Sequence, residues 1–270
     1  MICGRGTSFH PNFNPVFSTP TTNIESTLYV TVDHSPAYTR FLTRKGDYAL
    51  SIIVHPKVRE KLDISKWMIF GGSWGSTLSL AYSMAHPEIV TEIILRGVFL
   101  IRQSEVDWFN EEGGASNVFP DTWDIYKNAI PIGERKNYLK AYERRFNGSM
   151  GKKEKEKACW AWSIWEDSAS HLHPKSLKEI KKGLGKNKTY IPISTIELHY
   201  FKHLGFFPRS GYLLEDANIN KIKNLPIVIV QGQYDMVCPI TSAHDLHAKI
   251  PKAEFHTTMA GHSMFETENI

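Results

Sequence analysis

Trp67-Met68-Ile69-Phe70-Gly71-Gly72-Ser73-Trp74-Gly75 begins as a short apolar run and stops at a pair of glycines. An apolar run of this length bounded by glycine reads as a strand buried on both faces. Residues 76–86 then carry the helical period, with Leu78, Tyr82 and Ala85 on one face and Pro87 just past the end. Ile93-Ile94-Leu95 reads as a second buried strand ending near Gly97. Strand, helix, strand at this spacing is a βαβ unit, and such a unit requires a parallel sheet. At its first corner sits G-x-S-x-G, with a strand before it and a helix after it. That is the setting of a nucleophile elbow. Ser73 has to occupy a tight turn to lift its hydroxyl over the sheet edge, and the flanking glycines leave room for that turn. The helix N-terminus favours negative charge beside the serine, so the Trp74 N–H is a candidate oxyanion donor.

A serine hydroxyl is a weak nucleophile near neutral pH. It needs a base, and the base needs an orienting carboxylate. On this type of sheet the chain order is serine, acid, histidine. Working outward, Pro226-Ile227-Val228-Ile229-Val230 is another buried strand running into Gln231-Gly232. Asp235 follows five residues after Val230, and a helix is expected over 241–249. A weaker strand follows over 254–258, then Ala260-Gly261-His262-Ser263. Asp235 and His262 both fall in loops at strand C-termini, where the chemistry of open parallel sheets collects. They are the candidate acid and base.

Between these α/β stretches, residues 104–205 are helical in composition and hold five of the seven tryptophans, at 108, 123, 160, 162 and 165. Those indoles need an apolar partner surface, which a helical lid over the sheet would give. The lysine-rich stretches 152–157 and 175–188 have no aromatic residues alternating with them. They read as solvated helix faces, not a nucleic-acid surface. The expected division is an α/β core from 1–103 and 206–270, with 104–205 as a helical cap. Upstream, 28–32 and 48–54 could be strands.

The chain has 270 residues, 41% apolar and 22% charged, with a net charge of +4. This is an ordinary globular composition, and the charge is too mild to imply nucleic acid. Cys3, Cys159 and Cys238 are odd in number and widely spaced, which argues against a disulfide framework and against a CxxC metal site. His171-Leu172-His173 lacks the i, i+4 spacing of a helical metal pair, and no phosphate or dinucleotide loop occurs. No metal and no cofactor are expected. No apolar run approaches the roughly 18 residues of a membrane span, and residues 1–6 lack the charged start and apolar stretch of a signal peptide. The expected compartment is the cytoplasm.

Phe70-Gly71-Gly72-Ser73-Trp74-Gly75-Ser76-Thr77-Leu78 strongly resembles the proline iminopeptidase (prolyl aminopeptidase) family of α/β-hydrolases. So do Leu95-Arg96-Gly97-Val98-Phe99-Leu100, Trp160-Ala161-Trp162-Ser163-Ile164-Trp165-Glu166 and Ile196-Glu197-Leu198-His199-Tyr200-Phe201, and the blocks around Asp235 and His262. The likeness covers roughly residues 60–268. It implies an α/β-hydrolase fold with a mostly parallel sheet and an inserted helical cap. The implied activity is a serine aminopeptidase that releases N-terminal proline from peptides. Ser73 would be the nucleophile, His262 the base and Asp235 its acid. From spacing alone Glu166 and Glu197 read as helix-surface carboxylates; the resemblance implies that they hold the substrate's charged N-terminus. It further implies that Phe99, Trp108, Phe109 and Phe201 line the proline pocket.

The sequence also departs from the family. The His-Gly-Gly-Pro-Gly segment, whose backbone supplies a second oxyanion donor, has no counterpart, and the elbow serine comes early. The N-terminal strands are therefore expected to be incomplete, with residues 1–60 either divergent or truncated. Losing one oxyanion donor costs about 10²–10³ in rate. An esterase of the same fold, and a non-catalytic remnant, stay open as alternatives.

Overall fold

The computed structural model describes Arg59, residues 63–186 and residues 188–269. The strands expected over 28–32 and 48–54 lie outside the described residues. Four strands form one sheet in the order β1 (Trp67–Ser73), β2 (Val90–Val98), β3 (Ile227–Gly232) and β4 (Glu254–Thr258), and every pairing is parallel. Register pairs Ile93 with Ile227 and Leu95 with Ile229, so fully buried aliphatic residues meet along the sheet centre. β1 runs further than the apolar run suggests and carries Ser73 at its last position. Its helix, α1 (Trp74–Ala85), begins immediately after.

α1 is buried on nearly all sides, by Gly75, Ser76, Thr77, Ser79, Leu80, Ala81, Tyr82, Ser83 and Met84. Its small residues let the helix press close to the sheet, and its larger ones fill the space beyond. The helix stops where His86 N–H bonds the Tyr82 carbonyl and Pro87 follows. The main core gathers Leu80, Ile93, Leu95, Val98, Ile229 and Leu246 around the sheet.

The chain between β2 and β3 is a helical insert: α2 (Gln103–Asn110), α3 (Pro120–Asn128), α4 (Tyr138–Phe146), α5 (Lys152–Ala169), α6 (Leu177–Gly185) and α7 (Tyr190–Lys202), then α8 (Asp216–Ile222). After β3 comes α9 (Ile240–Lys249). The insert has its own aromatic core. Trp123 stacks on Tyr126 at 4.8 Å, Tyr126 on Tyr142 at 4.4 Å, and Phe109 on Trp165 at 5.3 Å between ring centroids. Trp123, Trp162 and Trp165 thus find their apolar partners inside the insert, where a lid on a sheet was expected to supply them. The reason is local: α5 buries Trp162 and Trp165 with Ala158, Ala161 and Ile164, and Tyr126 of α3 and Tyr142 of α4 pack against Trp162. The lysines at the start of α5 remain at the surface. Among the described residues no helix is long and apolar enough to cross a membrane.

Candidate active site

Ser73 sits at φ 57°, ψ −127°, a conformation that L-residues rarely adopt and that persists only where the surroundings enforce it. Those surroundings are specific. A Cβ on Gly71 would lie 2.2 Å from the Gly75 carbonyl oxygen, so the strand can turn this sharply only with glycine there. Ser76 Oγ donates to the Ser73 carbonyl at 2.6 Å and accepts the Phe99 N–H at 2.9 Å. Thr77 Oγ1 donates to the Phe99 carbonyl at 2.6 Å. The start of α1 is thereby sewn to the end of β2, and Phe99 is fixed beside the serine. The bonds of Ser76 and Thr77 to Phe99 run across 23 and 22 residues of chain, which local pattern does not show.

His262 reaches this corner from the loop after β4. Its Nε2 lies 3.0 Å from Ser73 Oγ and its Nδ1 lies 2.8 Å from Asp235 Oδ2. With Nδ1–H given to the carboxylate, Nε2 is left to accept the serine proton. Asp235 is only 3% exposed, and its burial is compensated. Oδ1 accepts the N–H groups of Val237 at 3.0 Å and Cys238 at 2.7 Å, and Oδ2 also accepts Gln231 Nε2 at 3.2 Å. Gln231 Oε1 in turn accepts the Val98 N–H at 2.8 Å. Buried Arg96 donates through Nη1 to the His262 carbonyl. Gln231 and Arg96 went unassigned in the sequence reading, although a polar side chain at the end of an otherwise apolar strand was the available signal.

Gly97 shapes the same corner. Its φ is +51°, and a Cβ there would sit 3.2 Å from the His262 ring and 3.3 Å from Asp235 Oδ2. Cys238 lies against the cavity too. Burial, reinforced by the nearby Asp235 carboxylate, pushes its thiol well above the usual range, so it stays neutral.

A cavity of about 250 Å³ lies between the sheet edge and the insert, with Ser73, Trp74 and His262 on one side. Phe99, Phe109 and Phe201 line it, and so does Trp162. Phe99 and Phe201 meet edge to face at 5.5 Å. Glu166 from α5 and Glu197 from α7 both face this cavity; Glu197 Oε2 accepts Trp162 Nε1 at 2.9 Å. The two carboxylates expected to lie on helix surfaces from spacing alone are half-buried here. Trp108 departs from the expectation. It is not among the cavity-lining residues, and its indole donates to the Met236 carbonyl at 2.9 Å, bracing the loop that carries Asp235. Its neighbour on the helix, Phe109, takes the wall position. Among the described residues no group of three or more potential ligands could hold a metal ion.

The α/β hydrolase fold family matches residues 18–269. A protein of Xylella fastidiosa (strain Temecula1) called proline iminopeptidase is 45% identical over 216 residues, which are 79% of this chain and 67% of that one. The chain belongs to the proline iminopeptidase family of α/β-hydrolases. A family member from Arabidopsis thaliana is also 45% identical, over 78% of this chain and 54% of its own length, and one from Neisseria gonorrhoeae is 39% identical over 78% and 65%. The chain therefore spans about half to two thirds of the length of these relatives. Among solved structures, an α/β fold family hydrolase from Bacillus anthracis superposes with a TM-score of 0.51 at 20% identity, covering 81% of this chain and 68% of that one. At that identity the likeness speaks for the fold.

Proposed function

We propose that this protein is a serine aminopeptidase that removes proline from the N-terminus of peptides. The observation that carries the reading is the hydrogen-bonded line Ser73–His262–Asp235, at 3.0 and 2.8 Å, opening into a cavity with aromatic walls and two carboxylates. Ser73 Oγ attacks the carbonyl of the N-terminal residue while His262 Nε2 takes its proton. The Trp74 N–H, first of the helix, faces the developing oxyanion. Collapse of the tetrahedral intermediate breaks the peptide bond, with His262 returning the proton to the leaving amine. Water, activated by the same imidazole, then frees the acyl group. The chemistry needs no metal or cofactor.

The choice of proline is supported by the cavity and by the relatives' activity. An aminopeptidase has to detect a charged amine, and carboxylates in an aromatic pocket do so through charge-assisted hydrogen bonds. Glu166 and Glu197 suit that task. Phe99 and Phe201, packed edge to face, suit a small apolar ring. The free thiols of Cys159 and Cys238 support the cytoplasm as its compartment.

The test compares Glu166→Gln and Glu197→Gln with the parent on prolyl-naphthylamide and on p-nitrophenyl acetate. A hydrogen bond to a charged group contributes about 1.5–3 kcal/mol, so each change should lower kcat/KM for the amide about 10- to 100-fold. Ester cleavage, which needs the serine and its base but no amine to be held, should be kept. Intact amide turnover in both variants, with Ser73→Ala inactive, would replace this reading with a general serine hydrolase that does not recognise the amine.

A further inference from the structure

Glu266 plays no part in the chemistry above, yet its two carboxylate oxygens reach two different parts of the molecule. Oε2 accepts the N–H of Gly261, the residue before His262, at 2.6 Å. Oε1 accepts the N–H of Leu172, in the loop that leaves α5, at 2.7 Å. The same loop is tied a second time: the Ser263 N–H, on the other side of His262, donates to the Ser170 carbonyl at 2.7 Å. Ser170 Oγ donates to the carbonyl of Glu166 at 2.6 Å. A continuous line of hydrogen bonds thus joins the backbone of a cavity carboxylate on the insert to both flanks of the base on the core. Asn269 completes the brace, with Nδ2 on the carbonyls of Gly261 at 3.1 Å and Ser263 at 2.9 Å.

We propose that Glu266 is a positioning residue that clasps the α5 loop to the His262 loop, so that the imidazole is aligned on Ser73 only while the insert is seated on the sheet. A carboxylate suits this role because it accepts two N–H donors at once, each in a charge-assisted bond. Backbone donors on both sides of His262 are then committed to the insert. When the insert lifts, the loop loses the groups that fix the ring's approach. Binding of an amine at Glu166 and alignment of the base become one event, which confines reactivity to an occupied, closed site. The proposal rests on Ser73 and His262 acting as nucleophile and base, but not on the preference for proline.

The full-length chain carrying Glu266→Ala, Glu266→Gln or, as control, the exposed Glu268→Ala is tested in two ways. A fluorophosphonate probe reports the alignment of Ser73 and His262, with the labelled site located by peptide mapping; prolyl-naphthylamide gives kcat and KM. A misplacement of about 1 Å costs about 100-fold, so Glu266→Ala should label about 10- to 100-fold more slowly than the parent, with lower kcat and higher KM. Glu266→Gln keeps one acceptor oxygen and should fall between, and Glu268→Ala should match the parent. Parental labelling rates in both Glu266 variants, whatever their melting temperatures, would overturn the proposal. If Glu266→Ala does not fold, Glu266→Gln decides by the same criterion. A parent that fails to label overturns the hydrolase reading and this proposal together, whereas a labelled parent with equally reactive variants removes only the clasp.

Discussion

Gly97 shows how much of the site depends on an atom that is not there. Its positive φ and the 3.2 Å gap between a built Cβ and the His262 ring impose two separate penalties on any side chain. The left-handed conformation alone costs an L-residue about 1–2 kcal/mol. The steric push falls directly on the imidazole. Gly97→Ala should therefore lower stability by about that amount in urea denaturation. It should also lower kcat/KM about 10- to 100-fold, because the base moves off its line to Ser73. A variant that lost stability but kept its turnover would show that the ring tolerates the displacement. At this scale the meeting of Ser73, Asp235 and His262 was legible in the sequence, because a strand-bounded G-x-S-x-G fixes the serine and chain order restricts the other two. Gln231, Arg96 and Gly97 were not assigned. They act across more than 100 residues of chain, as in the bond from Val98 N–H to Gln231 Oε1, and a polar residue ending an apolar strand shows that a partner is needed but not which one. The helix offers both Trp108 and Phe109, and only tertiary packing decides which ring meets the cavity.

Among the elements, the βαβ corner was the most readable, since its apolar run, glycine stop and helical period are all local. The helical insert was readable as helix but not as a self-contained aromatic cluster, because which tryptophan meets which tyrosine depends on how α3, α4 and α5 cross. One ion pair secures that cluster from outside. Arg145, on α4, has a side chain 1% exposed, and it donates to Glu134 Oε2 at 3.0 Å and to the Ala141 carbonyl at 2.8 Å. The hydrogen bond from Arg145 holds the Glu134 carboxyl below its ordinary range. A lowered folded-state value means that the ionised form stabilises the fold, so the contribution is present above the ordinary glutamate range and drains away as pH falls through and below it. Glu134→Gln leaves the buried guanidinium without its counter-charge. Because Glu134 keeps solvent contact, the loss at neutral pH should be about 1–3 kcal/mol, less than for a fully buried pair. Thermal unfolding of parent and variant across pH should show the gap at neutral pH shrinking toward acid. A constant gap would assign the loss to packing.

For the whole molecule, the sheet side carries Ser73, Asp235 and His262, while the insert carries Glu166, Glu197 and most of the aromatic wall. The cavity exists only where the two meet, and the proposed specificity arises there. A serine, a histidine and an aspartate in line would cleave many activated acyl groups; on the proposed reading, Glu166 and Glu197 restrict the site to a substrate that brings a positive charge at a fixed distance from the scissile carbonyl. Neutralising that charge on the substrate tests the arrangement without altering the protein. The decisive measurement is kcat/KM for prolyl-naphthylamide beside that for its N-acetylated form, which keeps the ring and the scissile bond but has no ammonium. Removing a charge-assisted bond of about 1.5–3 kcal/mol, and leaving a half-buried carboxylate without its partner, should favour the free amine by about 100-fold or more. Equal rates for the two substrates would contradict the account.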